Sequence, residues 1–335
     1  MKPTSLQSFK LTIKPLNPPK SIAEIRSIIL NTPNIKGKET GLSVNHEIKS
    51  KSIIDTKNKN IKLKSKLNTL QKKNSNITKH FFNDIYEKFN AMYMAPTVVE
   101  LNKVNSFFNN CGVQFEWSAP KYSDIPLKPT PRLKPLSLHL PEVAFLGRCN
   151  SGKSTLLNNL VTRASVKRDL NPLARASKIA GYTKTINSFN IENKLKIIDT
   201  PGYGVKGTKE QGIATMEYLQ KRKNLKRTYI LIPIDSGFTI YDSQIINFLG
   251  ENGIPFEIIF TKMDKLFKLY GQNLDSDNNT QVIAKLNDII VNSEVDKLPT
   301  LPQLLFVNSV INKKIDKRYG IDKIRYSILQ ACGII

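Results

Sequence analysis

The sequence predicts an α/β fold: a mostly parallel six-stranded sheet with helices on both faces, preceded by a basic, largely disordered N-terminal extension. Three observations predict it. From residue 142 onward, short apolar runs alternate with amphipathic helical stretches, the pattern of a parallel sheet covered on both sides. A glycine-rich turn, "GRCNSGKST" at 147–155, sits between an apolar run and a helical one. Residues 1–80 hold 16 Lys and one Arg against four acids, thirteen of the net +24 charges, with few aromatics. At 335 residues the chain can bury one good core and a second small one.

The first 23 residues contain no acid, and "SIAEIRSIIL" follows as a short amphipathic stretch. Residues 1–30 therefore read as a mitochondrial transit segment, although Lys stands where Arg is usual. Residues 31–80 form a Lys/Asn-rich linker, either solvated or serving as a nuclear-type basic address or RNA-binding tail. Order is expected from about His80. Val98, Leu101, Val104, Phe107 and Phe108 make one helical stripe within 81–137, a helix and Pro-rich lead-in. Strands are expected near 142–146, 186–191, 194–199, 228–234, 256–260 and 303–307, with helices near 154–163, 210–222, 242–252, 280–292 and 321–332. Three cysteines, Cys111, Cys149 and Cys332, follow no metal-ligand spacing and point to a reducing compartment. No apolar stretch is long enough to span a bilayer.

The turn at 147–155 has the spacing G-x-x-x-x-G-K-[ST]. Its glycines allow several backbone N–H groups to face one anion, and the next helix adds its positive end. Lys153 would reach the outer phosphates and Ser154 a Mg²⁺ ion, making this a nucleoside triphosphate cradle. Cys149 has no base in view and reads as a small filler. In "KIIDTPGYG", Asp199 would hold Mg²⁺ through water, and the Gly202 amide would register the γ-phosphate. In "IIFTKMDKL", Asp264 can accept from the N1 and N2 edge of guanine, which adenine cannot supply, and Lys262 can lie along the base. Thr183, in "LARASKIAGYTKTINSF", is the candidate to close over the γ-phosphate and complete the Mg²⁺ shell. Asn308 and Ser309, in "LLFVNSV", are candidates to support the guanine carbonyl.

These blocks resemble the EngB/YsxC/YihA GTPases, a branch of the Ras-like P-loop GTPase fold. The likeness is carried by "LPEVAFLGRCNSGKSTLLNNL", "LARASKIAGYTKTIN", "DTPGYG", "MEYLQKRKNLKRTYILIPIDSG", "GIPFEIIFTKMDKL" and "GIDKIRYSI", and it covers 138–335 in order. The resemblance implies GTP-binding residues Gly147, Arg148, Cys149, Asn150, Ser151, Gly152, Lys153 and Ser154, then Gly181, Tyr182, Thr183, Lys184 and Thr185. Asp199, Thr200, Pro201 and Gly202 follow as switch II, then Thr261, Lys262, Met263 and Asp264, and Val307, Asn308 and Ser309. Lys153, Thr183 and Gly202 are the candidate catalytic residues; Ser154, Thr183 and Asp199 are the Mg²⁺ set. The family loop is closer to GRSNVGKS, so Cys149 and Ser151 depart from it, "VNS" is a loose match to its last motif, and residues 1 to about 110 lie outside the bacterial pattern.

Bacterial members are implicated in assembly of the large ribosomal subunit. The resemblance therefore implies a GTPase for assembly or quality control of the mitochondrial large ribosomal subunit, supporting translation in the matrix. Its partners would be GTP/GDP and that subunit, with no transmembrane segment and a monomeric state. A GTP-dependent switch outside ribosomes, in organelle division or membrane traffic, would share every nucleotide residue. An RNA-binding protein with a vestigial site is the third reading, and no phosphate or Mg²⁺ residue is missing to favour it. Two basic groups are candidate RNA contacts or simply solvated helix ends: "KRKNLKR" at 221–227, and Lys313, Lys314, Lys317 and Arg318. Tyr203 stands where Ras-like enzymes carry the water-orienting glutamine, so unaided hydrolysis is expected to be slow. Asn150 either coordinates K⁺ beside the phosphates, as related GTPases with Asn here do, or braces the loop.

Overall fold

The computed structural model describes residues 77–130, 133–161, 184–204, 207–266, 276–293, 295, 298, 302–311 and 317–335. The transit segment and nearly all of the basic linker lie outside these residues. Within them the α/β class holds, and the mostly parallel sheet has seven strands rather than six. Its strands are β1 (Val113–Ala119), β2 (Glu142–Gly147), β3 (Ile186–Ile191), β4 (Leu195–Asp199), β5 (Leu225–Pro233), β6 (Phe256–Thr261) and β7 (Leu304–Phe306). They lie in the order β1-β3-β4-β2-β5-β6-β7. β1 pairs antiparallel with β3, and β3 antiparallel with β4; β4, β2, β5, β6 and β7 are all parallel.

The seventh strand is β1, which in the sequence is hidden within the lead-in. Its residues alternate apolar and polar without a break, but its burial does not follow: Glu116 is buried beside Trp117, where the pairing with β3 shifts register, and Lys196 on β4 meets its carboxylate at 3.0 Å. Strand β5 likewise begins at Leu225, three residues before the expected start, since Arg227 is held in the sheet by Glu257 at 2.8 Å. A charged residue stays in a strand when an opposite charge of the same sheet reaches it, from the adjacent strand for Arg227 and from two strands away for Glu116.

The helices are α1 over 77–89, α2 (Val98–Asn110), α3 (Lys153–Leu160), α4 (Lys209–Lys221), α5 (Ile240–Glu251), α6 (Ser276–Val291) and α7 (Ile321–Ala331). All six residues of β2 are buried, as befits a strand covered on both faces. Val143 and Phe145 point into one core layer with Leu156 and Leu160 of α3, Phe108 of α2 and Ile328 of α7. Ala144 and Leu146 point into the other, with Tyr218 of α4, Ile246 of α5 and Leu286 of α6.

Helix α1 covers the open edge of β7. The Asn90 amide donates to Leu304 O at 2.7 Å and accepts from Leu304 N at 2.8 Å, replacing the strand that the edge lacks. Helix α2 is held against α7 by Arg325, 1% exposed, which donates to Asn105 and to the Leu160 carbonyl, both at 2.8 Å.

Candidate functional site

Strand β2 has β4 on one side and β5 on the other, so the chain leaves its carboxyl end at the point where strand order reverses. Open α/β sheets form their ligand crevice there. The loop after β2 turns sharply into α3: Asn150 has φ 64° and Gly152 φ 93°, both left-handed. A Cβ on Gly147 would collide with the Ser151 hydroxyl and stand 3.1 Å from Leu231 Cβ, so only glycine lets the loop fold back this tightly. Lys153 and Ser154 fall in the first turn of α3, and the Lys153 ammonium pairs with Asp199 at the end of β4.

The segment after Asp199 runs alongside the loop. Thr200 donates its hydroxyl to Phe145 O at 2.8 Å. Gly202 packs onto the loop so closely that a Cβ would lie 3.2 Å from both Cys149 N and Cys149 Sγ. Tyr203 N donates to Gly147 O at 3.3 Å, and Cys149 N to Tyr203 O at 3.4 Å.

The TKMD residues reach the same place from β6. Thr261 Oγ1 donates to Ser151 O at 2.6 Å, fixing the end of β6 to the loop. Lys262 adopts φ 60° and lies 3.7 Å from Asp235. Met263 is fully buried and its N–H donates to Val307 O at 3.2 Å. Asp264 is 8% exposed and has no partner among the described residues.

After β7, the Asn308 side chain is committed to its own loop. It accepts from Tyr319 N at 2.7 Å and donates to Lys317 O at 3.1 Å and Val310 O at 3.3 Å. Asn159 of α3 donates to Ser309 O at 2.9 Å, while Ser309 Oγ is buried without a hydrogen-bond partner among the described residues. Lys184 is exposed; Thr185 accepts from Ser118 and donates to Asn187 at the start of β3, which pairs with Asp199. Gly181, Tyr182 and Thr183 lie outside the described residues.

Two side chains that sequence motifs did not single out connect this assembly. Asp242, fully buried at the start of α5, accepts from Tyr203 OH at 2.7 Å and pairs with Arg148 Nε at 3.1 Å. Burial first, then the charge and hydrogen bond of Asp242, push the Tyr203 phenol well above its usual range, so it remains a proton donor. Asn159, which ties α3 to the Ser309 carbonyl, is the other. In the sequence Asp242 shows only as the fourth residue of "TIYD", a helix-start signal.

The cluster "KRKNLKR" is less of a patch than its sequence implies. Arg222 grips Glu142 with two bonds of 2.6 and 2.8 Å, Arg227 pairs with Glu257, and Lys221 with Glu217 at 2.9 Å. Lys223 and Lys226 are left exposed, at the end of the sheet opposite the cradle. Of the second group, Arg318 is buried, Lys317 is exposed, and Lys313 and Lys314 lie outside the described residues.

A glycine-rich loop on a helix N-terminus, an Asp-x-x-Gly segment against it and a buried carboxylate from T-K-x-D define a P-loop GTPase. The sequence relatives agree. Residues 142–262 match the family model of the 50S ribosome-binding GTPase. Over 288 residues the chain is 42% identical to MIOREX complex component 8 of Saccharomyces cerevisiae, across 82% of this chain and 85% of the yeast protein. Over 167 residues it is 40% identical to the probable GTP-binding protein EngB of Mycoplasmopsis synoviae, across 47% of this chain and 85% of that protein. A solved structure of a probable GTP-binding protein EngB is 23% identical and matches 57% of this chain and 98% of its own, with a TM-score of 0.36 that adds nothing to the assignment. The chain belongs to the EngB family of GTPases. Among the described residues no helix is long and apolar enough to cross a membrane, and Cys111, Cys149 and Cys332 are free thiols.

Proposed function

We propose that this GTPase serves assembly or quality control of the large subunit of the mitochondrial ribosome, in the matrix, and so supports mitochondrial translation. The observation that carries the reading is the 42% identity, across four-fifths of the chain, to a yeast protein named as a MIOREX complex component, joined to a family named for binding the 50S ribosome. The acid-poor first 23 residues supply the mitochondrial address.

In this reading residues 147–154 cradle the phosphates, Lys153 meets the outer ones, and the Gly202 amide meets the γ-phosphate. Asp264 and Lys262 read guanine, with residues 307–309 beside it. Gly181–Thr185 close over the nucleotide, with Thr183 as the capping threonine. GTPases of this class use Mg²⁺, which would be held by Ser154 and Thr183, and by Asp199 through water. These are hard oxygen donors, the kind Mg²⁺ takes. Among the described residues no cluster of His, Cys, Asp and Glu could hold a metal alone, which suits an ion that draws most ligands from nucleotide and water. When bound, it would neutralise charge between the β- and γ-phosphates.

Tyr203 has its hydroxyl committed to Asp242 and offers no amide to orient water, which supports slow unaided turnover. Asn150 is exposed, left-handed and without a hydrogen bond among the described residues, so it is not bracing the loop. That favours its other reading, a ligand for K⁺ beside the phosphates. Turnover should then rise when Na⁺ is exchanged for K⁺ at constant ionic strength, and Asn150→Ala should erase the rise with GDP affinity nearly kept. Equal rates in the two salts would remove the ion.

The ribosomal reading is tested by sedimentation of a mitochondrial lysate. The chain should migrate with the large subunit when a non-hydrolysable GTP analogue is present and leave it with GDP. Migration at the top of the gradient in both cases would refute it. In the same gradients, Lys223→Ala with Lys226→Ala should release the protein at lower salt and flatten the salt dependence of binding, because fewer phosphates are then neutralised. Nucleotide affinity should hold, because both lysines sit at the far end of the sheet.

A further inference from the structure

One buried carboxylate ties the phosphate loop and the Asp-x-x-Gly segment to the same helix. Asp242 Oδ1 accepts from the Tyr203 hydroxyl, at 2.7 Å. Its Oδ2 lies 3.1 Å from Arg148 Nε, a charge contact rather than an aligned hydrogen bond. The same oxygen accepts from Thr239 N and Thr239 Oγ1, both at 2.7 Å, which closes the first turn of α5. The Arg148 guanidinium also donates to Gly237 O at 2.6 Å and to Ser236 Oγ at 3.1 Å. Arg148 is the second residue of the cradle and Tyr203 directly follows Gly202, so the carboxylate bridges the two halves of the phosphate site.

The consequence falls on Gly202. Residue 203 is pinned at three points: its N–H on Gly147 O, its carbonyl on Cys149 N, and its side chain on Asp242. A residue fixed this way leaves its predecessor little freedom, and Gly202 itself meets the cradle through its carbonyl, which accepts from Cys149 Sγ at 3.9 Å, where an added Cβ would stand only 3.2 Å from Cys149. An amide held in place before its ligand arrives binds with less ordering cost. We propose that Asp242 is a positioning residue for γ-phosphate recognition, acting through Tyr203 to hold the Gly202 amide against the cradle. The inference rests on the reading of Gly202 as the γ-phosphate contact. It goes beyond that reading by assigning nucleotide discrimination to a side chain that never touches the nucleotide. GDP has no γ-phosphate, so its affinity should not depend on the bracket.

The test measures affinities of a fluorescent GDP and a fluorescent non-hydrolysable GTP analogue for the full chain in Mg²⁺ buffer, with thermal melting alongside. Tyr203→Phe deletes only the hydroxyl. It should weaken the GTP analogue about 10-fold, the worth of one hydrogen bond to a buried charge, and leave GDP within about twofold. Asp242→Asn keeps the shape but removes the charge facing Arg148, so it should lose more analogue affinity and some stability; GDP affinity read on the folded fraction separates the two effects. Parallel losses for both nucleotides would make the network merely structural and overturn the proposal. So would unchanged analogue affinity, or a gain, which would mean that the bracket holds the segment away from the γ-phosphate. A wild-type chain that binds neither nucleotide would instead overturn the reading of the site itself.

Discussion

Lys196→Met should lower the melting temperature by about 6–20 °C. Lys196 lies on β4 with no exposed surface, 3.0 Å from Glu116 on β1 and 3.8 Å from Glu142 on β2. Its contacts are electrostatic rather than directed hydrogen bonds. Glu142 has other support, two bonds from Arg222 and one of 2.7 Å from Tyr218 OH. Among the described residues Glu116 has no second cation: besides Lys196 it accepts from the neutral donors Ser137, Ser188 and Asn190. Removing Lys196 therefore strands the Glu116 charge inside the protein, at a cost of about 3–5 kcal/mol against a total stability of about 5–15 kcal/mol. Glu116→Gln in the same chain should recover most of the loss, because the amide oxygen can still accept from Asn190 and no charge remains. A single variant melting within about 2 °C of wild type, less than 1 kcal/mol is worth in a body of this size, would show that the buried charge is not what the strand pairing rests on.

That network also separates what the sequence discloses from what it hides. The parallel strands β2, β4, β5, β6 and β7 are legible because each is a short apolar run bounded by turn residues. The cradle, Asp199 to Gly202 and Thr261 to Asp264 are legible because their chemistry is set by spacing along the chain. Strand β1 is legible only in part: V-Q-F-E-W-S-A alternates as an edge strand does, but that Glu116 is buried shows only when Lys196, 80 positions later, reaches it. Tyr218 and Arg222, in the block "MEYLQKRKNLKR", carry no visible role in the sequence; the structure places both on Glu142, 76 and 80 residues away. Helix α1 hides in the same manner, since Asn90 becomes a strand cap only when Leu304 arrives. Asp242 is the functional instance: a capping signal in sequence, and in space the carboxylate shared by Arg148 and Tyr203.

Asp264→Asn should cost GTP affinity by about 10²–10³-fold while bringing in xanthosine triphosphate, the largest expected effect on ligand choice. Asp264, 8% exposed, is unpartnered among the described residues, in a segment held by the Thr261 bond to Ser151 and the Met263 bond to Val307. A carboxylate so placed needs two donors, and the N1–H and N2–H₂ edge of guanine supplies both in charge-assisted bonds. Asparagine keeps one acceptor and turns an N–H₂ toward the base. Guanine then meets donor against donor at one position, whereas xanthine carries an oxygen where guanine has its amino group and accepts that hydrogen. Because the exchange removes one good contact and adds a bad one, discrimination reverses instead of merely fading. Competition between GTP, ATP and xanthosine triphosphate for a fluorescent GDP measures it, with wild type preferring GTP over ATP. The fold should be untouched, since no other residue depends on the carboxylate. If the variant loses GTP without gaining xanthosine triphosphate, Asp264 supports the loop and does not read the base; if wild-type protein takes ATP as readily as GTP, the T-K-x-D segment does not face guanine.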